Sequence, residues 1–429
     1  MPIRTQLLAA LFPLLVLSPA SPQAHAPADN SKLIYTLIVS RHGVRSPTGK
    51  STQYDRYSKA AWPAWTTAPG ELTPHGFALM KIFGSYDREL FSSEGLFSAQ
   101  DCADATRITI HADSDQRTRE TGRALAEGLF PGCSVPVQAK AEGTHDPLFH
   151  PANIPPAQAE LAAAAILGRI GGDPAAIVAA YHAPLAEFDS LLASCGDAEP
   201  GHSRTSLFDI PSTISTGTDD HLAEVKGPLS VAATLTENLL LAYTEGMDMK
   251  QVGWGCIDGT RLRSLMDLHT ASSEFALRTP AVAGPLSSSL LRVIAASLAQ
   301  AATGKPVNDA EGRVGDKMLL LVGHDTNLSA IAGALHLDWI LDDRRDDTPP
   351  GSALELELRQ DASGRRTVQL FFTAQTLEQM RNAAPLSLTN PAPRVPVFIP
   401  GCSAADGACE LGSFEVLLKE RMQQAQSTR

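Results

Sequence analysis

Three apolar runs in this chain are each followed by a polar loop and then by a helix-patterned stretch, and this repeated order constrains the fold more than any other feature. The runs are Leu33 to Ser40 (LIYTLIVS), Arg107 to Ala112 (RITIHA) and Lys317 to Val322 (KMLLLV). A strand that is apolar on both sides of its pleat must be covered on both faces. Near-continuous apolar runs alternating with helices therefore predict a buried, largely parallel sheet. The expected fold class is α/β: a doubly wound mixed, mostly parallel sheet flanked by helices. Two further strands are expected near the end, Ala353 to Arg359 and Thr367 to Ala374, joined by a turn over Asp361–Gly364. Thr73-Pro74 reads as a cap followed by a first-turn proline, which opens a helix.

The middle of the chain is patterned differently. Between about Pro155 and Leu277 it is Ala-rich with helical periodicity, as in Gln158 to Ile170 and Pro174 to Cys195. Asp173-Pro174 supplies a cap and a first-turn proline for the second piece. No strong strand signal occurs there, so the stretch predicts an inserted α-helical cap domain. The expected layout is a first part of the core over 27–154, the cap over 155–274 and the rest of the core over 275–429. A chain of 429 residues has room for a large core with such an insertion. The charged patch from Asp342 to Asp347, ahead of Pro349-Pro350, predicts a solvated loop.

Residues 1–26 read as an export signal. Arg4 is the basic start, Leu7 to Leu17 is an apolar run too short to span a bilayer, and Ala24-His25-Ala26 is a small-x-small cleavage site. Export would carry the 6 cysteines into an oxidising compartment, where disulfides form. Cys402 and Cys409 are near enough in sequence to close a small loop; spacing does not decide the other pairings. There is no CxxC and no HxH, HxxH or HxxxH spacing, so a zinc site has little support. The formal net charge of −12 argues against a nucleic-acid coat or a polybasic membrane binder.

Each of the three strand ends carries charged or titratable groups. Arg41, His42 and Arg45 follow the first, Arg117 follows the second, and His324 and Asp325 follow the third. In open α/β sheets ligands bind beyond the carboxyl ends of the strands, so parallel neighbours would bring these groups into one crevice. Three guanidiniums repel one another unless an anion sits among them, and phosphate matches their paired donors. With no P-loop and no metal motif, the side chains themselves must move a phosphoryl group. A neutral imidazole among arginines can attack phosphorus, the cations keeping it unprotonated. Asp325 is placed to protonate the leaving alcohol, while the arginines and a protonated His324 stabilise charge on the equatorial oxygens. An exported solute-binding protein for phosphorylated compounds would have no use for a nucleophile and an acid together. A mutase is disfavoured by the export segment and the long helical insertion. Asn327-Leu328-Ser329 matches a glycosylation sequon, which reads as coincidence beside Asp325.

Arg41-His42-Gly43-Val44-Arg45 together with His324-Asp325 resembles the histidine acid phosphatase family, branch 2 of the histidine phosphatase superfamily. Other segments resemble its bacterial periplasmic phytases and acid phosphatases: Ala61-Trp62-Pro63, Leu72-Thr73-Pro74, Arg117-Thr118-Arg119, Asp146-Pro147-Leu148-Phe149 and Gly253-Trp254-Gly255. So do Arg278-Thr279-Pro280, Asn327-Leu328 and Thr376 to Met380. The resemblance implies His42 as the phosphate-accepting nucleophile, Asp325 as the proton donor, and Arg41, Arg45, Arg117 and His324 as the phosphate clamp. It also implies that Thr48, Asp113, Glu237, His269, Arg278 and Thr326 line the substrate pocket. It implies the pairings Cys102–Cys133 and Cys402–Cys409, which leaves Cys195 with Cys256, a pair without a family counterpart. The implied protein is a periplasmic or secreted monomeric phosphohydrolase with no cofactor or metal and with no nucleic-acid or membrane partner. Its implied substrate is a small phosphorylated molecule, phytate first, with a broad acid phosphatase or a glucose-1-phosphatase-like sugar phosphatase as the alternative. One departure bears on that choice: where bacterial phytases carry a substrate-binding lysine after the motif threonine, this chain has Gly49, with Lys50 one place later.

Overall fold

The computed structural model describes residues 31–98, 102–152, 154–198, 203–217 and 221–426. The export segment read over residues 1–26 lies outside them. The chain begins with β1 (Lys32–Arg41), α1 (Pro74–Ser93), β2 (Ile108–Ala112), α2 (Gln116–Leu129) and the short β3 (Val137–Gln138). The helical stretch follows as α3 (Pro156–Arg169), α4 (Ala175–Ala180) and α5 (His182–Ser194), a hairpin β4 (Thr213–Thr216) and β5 (Ala223–Lys226), then α6 (Pro228–Thr244) and α7 (Gly259–Ala276). The chain continues through α8 (Pro280–Thr303), β6 (Met318–Gly323), α9 (Asp325–Leu335), β7 (Ile340–Leu341) and β8 (Arg344–Arg345). It ends with β9 (Ala353–Gln360), β10 (Arg366–Thr373), α10 (Leu377–Arg381), β11 (Arg394–Pro396), β12 (Cys409–Glu410) and α11 (Leu411–Gln426).

The main sheet runs β11-β10-β9-β1-β6-β2-β3, with β12 on β10. β1, β6, β2 and β3 are mutually parallel, while β9 pairs with β1, and β10 with β9, antiparallel. The sheet is therefore mixed, parallel where it carries the motif-bearing strand ends and antiparallel on the other side. Alternation sorts β6 between two cores: Leu319 and Leu321 face α8, α9 and α11, whereas Met318, Leu320 and Val322 face α1 and α2. On β1, Tyr35, Leu37 and Val39 join the first core and Ile38 the second. Leu33 also lies in the second core, against its odd-number parity, because the register shifts between Leu33 and Tyr35. Every residue of β6 is buried, which is why its sequence reads as an uninterrupted apolar run.

The stretch expected to lack strands contains the β4–β5 hairpin, rich in β-branched residues but only four residues per strand and thus too short to stand out by periodicity. The single helix expected from Pro174 to Cys195 is two. Pro184 has no N–H to return to the carbonyl four residues back, and the helix breaks at Tyr181. The apolar faces of α5, α6 and α7 share one core with Val44, Tyr57, Trp62 and Leu79 from the first segment and with Leu377 and Met380 from the last. The described residues from Ser31 onward accordingly form one compact unit. Disulfides join Cys102 to Cys133, Cys195 to Cys256 and Cys402 to Cys409, so all six cysteines are paired, the chemistry of an oxidising compartment.

Candidate active site

The parallel register sets three strand ends side by side. Arg41 lies opposite Gly323, and Ala112 opposite Val322. The ladder then runs one residue past each strand: His42 N–H donates to Gly323 O at 3.0 Å, and Asp113 N–H to Val322 O at 2.9 Å. On the other side Gly351 N–H donates to His42 O at 2.9 Å. The backbone of His42 is thus held from both sides. Its ring Nδ1 lies 2.9 Å from Gly43 O, a carbonyl that can only accept, so Nδ1 carries the hydrogen and Nε2 is the nitrogen with the free lone pair. Gly43 is glycine for a steric reason: a Cβ there would lie 2.7 Å from Met80 Cγ and 3.2 Å from Gly76 O.

Arg41 is fully buried, its guanidinium donating to Thr348 O and to Glu237 Oε1 and lying 3.9 Å from Asp325 Oδ2. Arg45 approaches the same Glu237 oxygen at 3.7 Å. Arg117 donates to Gly70 O at 3.4 Å, pairs with Asp115 at 2.5 Å and lies 3.4 Å from His324 Nδ1. The Nε atoms of all three arginines are buried without a hydrogen-bond partner among the described residues. Burial pushes the His42 imidazole well below its usual range, and Arg41, Arg117 and Arg45 push it further. The neutral, nucleophilic form is the one this pocket favours.

His324 donates from Nε2 to Asp113 Oδ2 at 2.6 Å, and its ring stands edge-on to that of His42 with centroids 5.7 Å apart. Burial lowers its pKa; Asp113 opposes this and Arg117 adds to it. Asp113 is itself pulled up by burial, but the hydrogen bonds from His150 and His324 hold it below the usual carboxylate range. The same competition governs Asp325, where burial raises the pKa while Arg41, His269 and Arg45 outweigh it and keep the carboxylate ionised. The sequence predicts protons on both Asp325 and His324; here the cations around Asp325 favour its ionised form, and burial, with Arg117, favours neutral His324.

His269, on α7, lies between Glu237 (3.8 Å) and Asp347 (3.7 Å). Burial lowers its pKa, but these two carboxylates and Asp325 raise it more. Thr48 is exposed near Arg117: a Cβ on Gly70 would lie 3.7 Å from both Thr48 Cγ2 and Arg117 Nη1. Thr326, next to Asp325, lines a small cavity with Phe149, His150, His221 and Leu286. Arg278 is not brought into contact with the arginine cluster. It donates to Leu337 O and Asp338, pairs with Glu274 and Asp346, and lies over the Trp339 ring. Gly49 has its own cause: the Tyr54 hydroxyl, which accepts from Gly49 N–H at 3.1 Å, occupies the space where a side chain would begin.

Among the described residues one group of ligating side chains converges, Asp113, His150 and His324, with their nearest atoms within 4.8 Å of one another. Both imidazoles already donate to the Asp113 carboxylate, so hydrogen bonding accounts for the cluster without an ion. Taken together, the site offers buried guanidiniums, an unprotonated imidazole and a carboxylate around one small volume. Such a set of groups can bind an oxyanion and present an unprotonated nitrogen to it.

Residues 32–163 match the model of the histidine phosphatase superfamily (branch 2). The chain is 35% identical to phytase AppA of Escherichia coli over 96% of its own length and 98% of that protein. It belongs to the histidine phosphatase superfamily. As a member of that superfamily the chain is a phosphatase. It is also 30% identical to a glucose-1-phosphatase of Salmonella typhimurium, over 96% of this chain and 98% of that one. Its fold is similar to that of Hafnia alvei phytase solved with myo-inositol hexakis sulphate, with a TM-score of 0.82, 32% identity, and coverage of 93% and 99% of the two chains.

In this histidine phosphatase a further segment departs from the sequence expectation. The Asp342–Asp347 patch is not a solvated loop: Arg344, Asp346 and Asp347 are buried, Arg344 pairing with Asp347 at 2.6 Å and with Asp342 at 3.2 Å. Alternating opposite charges were the available clue, since neighbours of opposite sign can neutralise one another on burial. The segment serves the site, because Asp347 pairs with His269 and Thr348 O receives Arg41.

Proposed function

We propose that this phosphatase is an exported acid phosphomonoester hydrolase that works through a phosphohistidine intermediate, with phytate as its substrate. In this reading His42 Nε2 forms a bond to phosphorus while the bond to the ester oxygen breaks. Asp325 gives that oxygen its proton, so the alcohol leaves neutral. Water then attacks phosphorus, the N–P bond breaks, Asp325 takes back the proton, and inorganic phosphate leaves. Arg41, Arg45 and Arg117 hold the phosphoryl oxygens, joined by His324. The observation that carries the reading is the buried His42 imidazole, tied through Nδ1 to Gly43 O and depressed in basicity by burial and three guanidiniums.

Arg41, His269 and Arg45 favour the ionised form of Asp325. A bound phosphate neutralises those same cations, so the substrate itself removes the cause and lets Asp325 hold a proton. His324 responds in the same direction, because an anion at Nδ1 offsets Arg117. Glu237 and His269 line the pocket in this reading. The export segment and three disulfides support a periplasmic or secreted location.

A sugar-phosphate or broad acid phosphatase is the second reading, favoured by one observation. Position 49 is glycine and so supplies no cation for a second phosphate group; the Tyr54 hydroxyl and Gln53 Oε1 lie in the space beside it. Parallel turnover of phytate, glucose 1-phosphate and an aryl phosphate at acidic pH separates the two. Phytate is expected to be hydrolysed at least as well as the others; turnover far below both would transfer the proposal to the second reading.

A further inference from the structure

Asp113 Oδ2 receives two imidazoles at once, His324 Nε2 at 2.6 Å and His150 Nε2 at 2.8 Å, while Oδ1 is buried with no hydrogen-bond partner among the described residues. An ionised carboxylate only accepts, so both Nε2 atoms carry hydrogen. For His324 this selects the tautomer. Its N–H points to Asp113, and Nδ1 is the nitrogen on the side of Arg117, 3.4 Å away. One donor would leave the Asp113 carboxylate free to pivot about its Cβ–Cγ bond. Two donors from different elements, converging on one oxygen, fix its plane.

The second donor is itself held in place. His150 N–H donates to Asp146 O at 2.9 Å, and its ring lies 5.2 Å from that of His324. Asn327 joins the two segments: its Oδ1 accepts from His324 N at 2.9 Å, and its Nδ2 donates to Phe149 O at 2.8 Å. The loop bearing His150 and the turn bearing His324 are thus locked together by one side chain, and their imidazoles meet on one carboxylate.

We infer that His150 is a positioning residue for phosphoryl transfer: it holds Asp113 so that His324 keeps Nε2–H on Asp113 and turns Nδ1, which donates once it takes up a proton, toward the phosphoryl group. The inference rests on the phosphohistidine reading above. It is tested with His150→Phe, which keeps a ring of similar size but has no donor, and with His150→Gln, whose amide can donate to the same oxygen. His150→Phe is expected to lower kcat by about 10- to 100-fold, the usual range for a partner that orients a site residue, with a smaller change in KM. His150→Gln is expected to recover most of that loss. The loss is expected to be equal for aryl and alkyl phosphates, because His324 acts on the phosphoryl oxygens and not on the leaving group.

A coupling measurement separates positioning from packing. In an Asp113→Asn background, His150→Phe is expected to cost little more, since the carboxylate through which it acts is gone. Independent, multiplying losses overturn the inference, as do equal losses in the Phe and Gln variants. Labelled phosphoenzyme in the wild-type protein is the control. If wild type forms none, the phosphohistidine reading fails; if it does and the losses still multiply, the positioning role alone fails.

Discussion

Glu237, on α6, accepts a hydrogen bond from Arg41, the last residue of β1, so the arginine cluster already has a carboxylate partner. Arg45 approaches the same oxygen, and His269 approaches the other one. Buried guanidiniums with no counter-charge are costly, so Glu237 stabilises the arginine cluster and would compete with an incoming phosphate. Glu237→Gln should therefore bind inorganic phosphate more tightly, by about tenfold if the change is worth about 1.4 kcal/mol. Product inhibition constants measure this. Unchanged or weaker phosphate inhibition would contradict the competitive role.

Asp325 opens α9 and lies 3.9 Å from Arg41, close enough for that cation to help hold it ionised. A group in the proposed proton-donor role matters most when the alcohol is a poor leaving group. Asp325→Asn should cost about 100-fold or more on alkyl phosphates, within the range of general-acid contributions, and much less on aryl phosphates. Equal losses on both would point to a purely electrostatic role.

The pH dependence follows from His42. Its pKa is lowered by burial first and then by Arg41, Arg117 and Arg45, so the neutral form persists into acid. An ordinary imidazole with a pKa of about 6.5 would be about 97% protonated at pH 5. The acid limb of kcat/KM should therefore lie well below pH 6. Arg117→Ala removes one of the cations and should move that limb upward, whatever it does to the amplitude. Wild-type activity falling with an ordinary imidazole pKa would contradict the assignment, as would a limb that stays put in the variant.

How much of this was legible in the sequence depended on whether the cause was local. The three strand ends could be read because apolar run, polar turn and helix start are neighbours in sequence, and the parallel register then aligned them. The observed strands depart from the expected bounds by only about one residue, as in Ala353–Gln360 against Ala353 to Arg359. Glu237 and His269 arrive from α6 and α7, and only the family resemblance suggested them. Arg278, suggested in the same way, ends among Glu274, Asp338 and Asp346. Asp347 and His150 went unnoticed because exposure is a tertiary property: a charged patch and a lone loop histidine read as surface until their partners are in place. The break at Tyr181 was within reach, since Pro184 was there to be counted.

A second pH effect concerns stability and lies away from the site. Asp87, on α1, is buried, with Oδ1 unpaired among the described residues; burial and then the charge of Glu355 raise its pKa well above the usual carboxylate value. Glu355, also raised by burial, is hydrogen-bonded by Arg394 at 2.6 Å, which favours leaving the proton on Asp87. The folded state then keeps a proton that the unfolded chain releases above its own pKa of about 4. Stability from this group is fully present below that pKa and is lost as pH rises toward the folded value, by about 1.4 kcal/mol per pH unit for one proton. Asp87→Asn keeps the shape and stays neutral at every pH. Urea midpoints at pH 4.5 and pH 7 should show a smaller loss of stability in Asp87→Asn than in wild type, and a gain relative to wild type at pH 7. The same pH slope in both proteins would mean that the buried proton resides elsewhere.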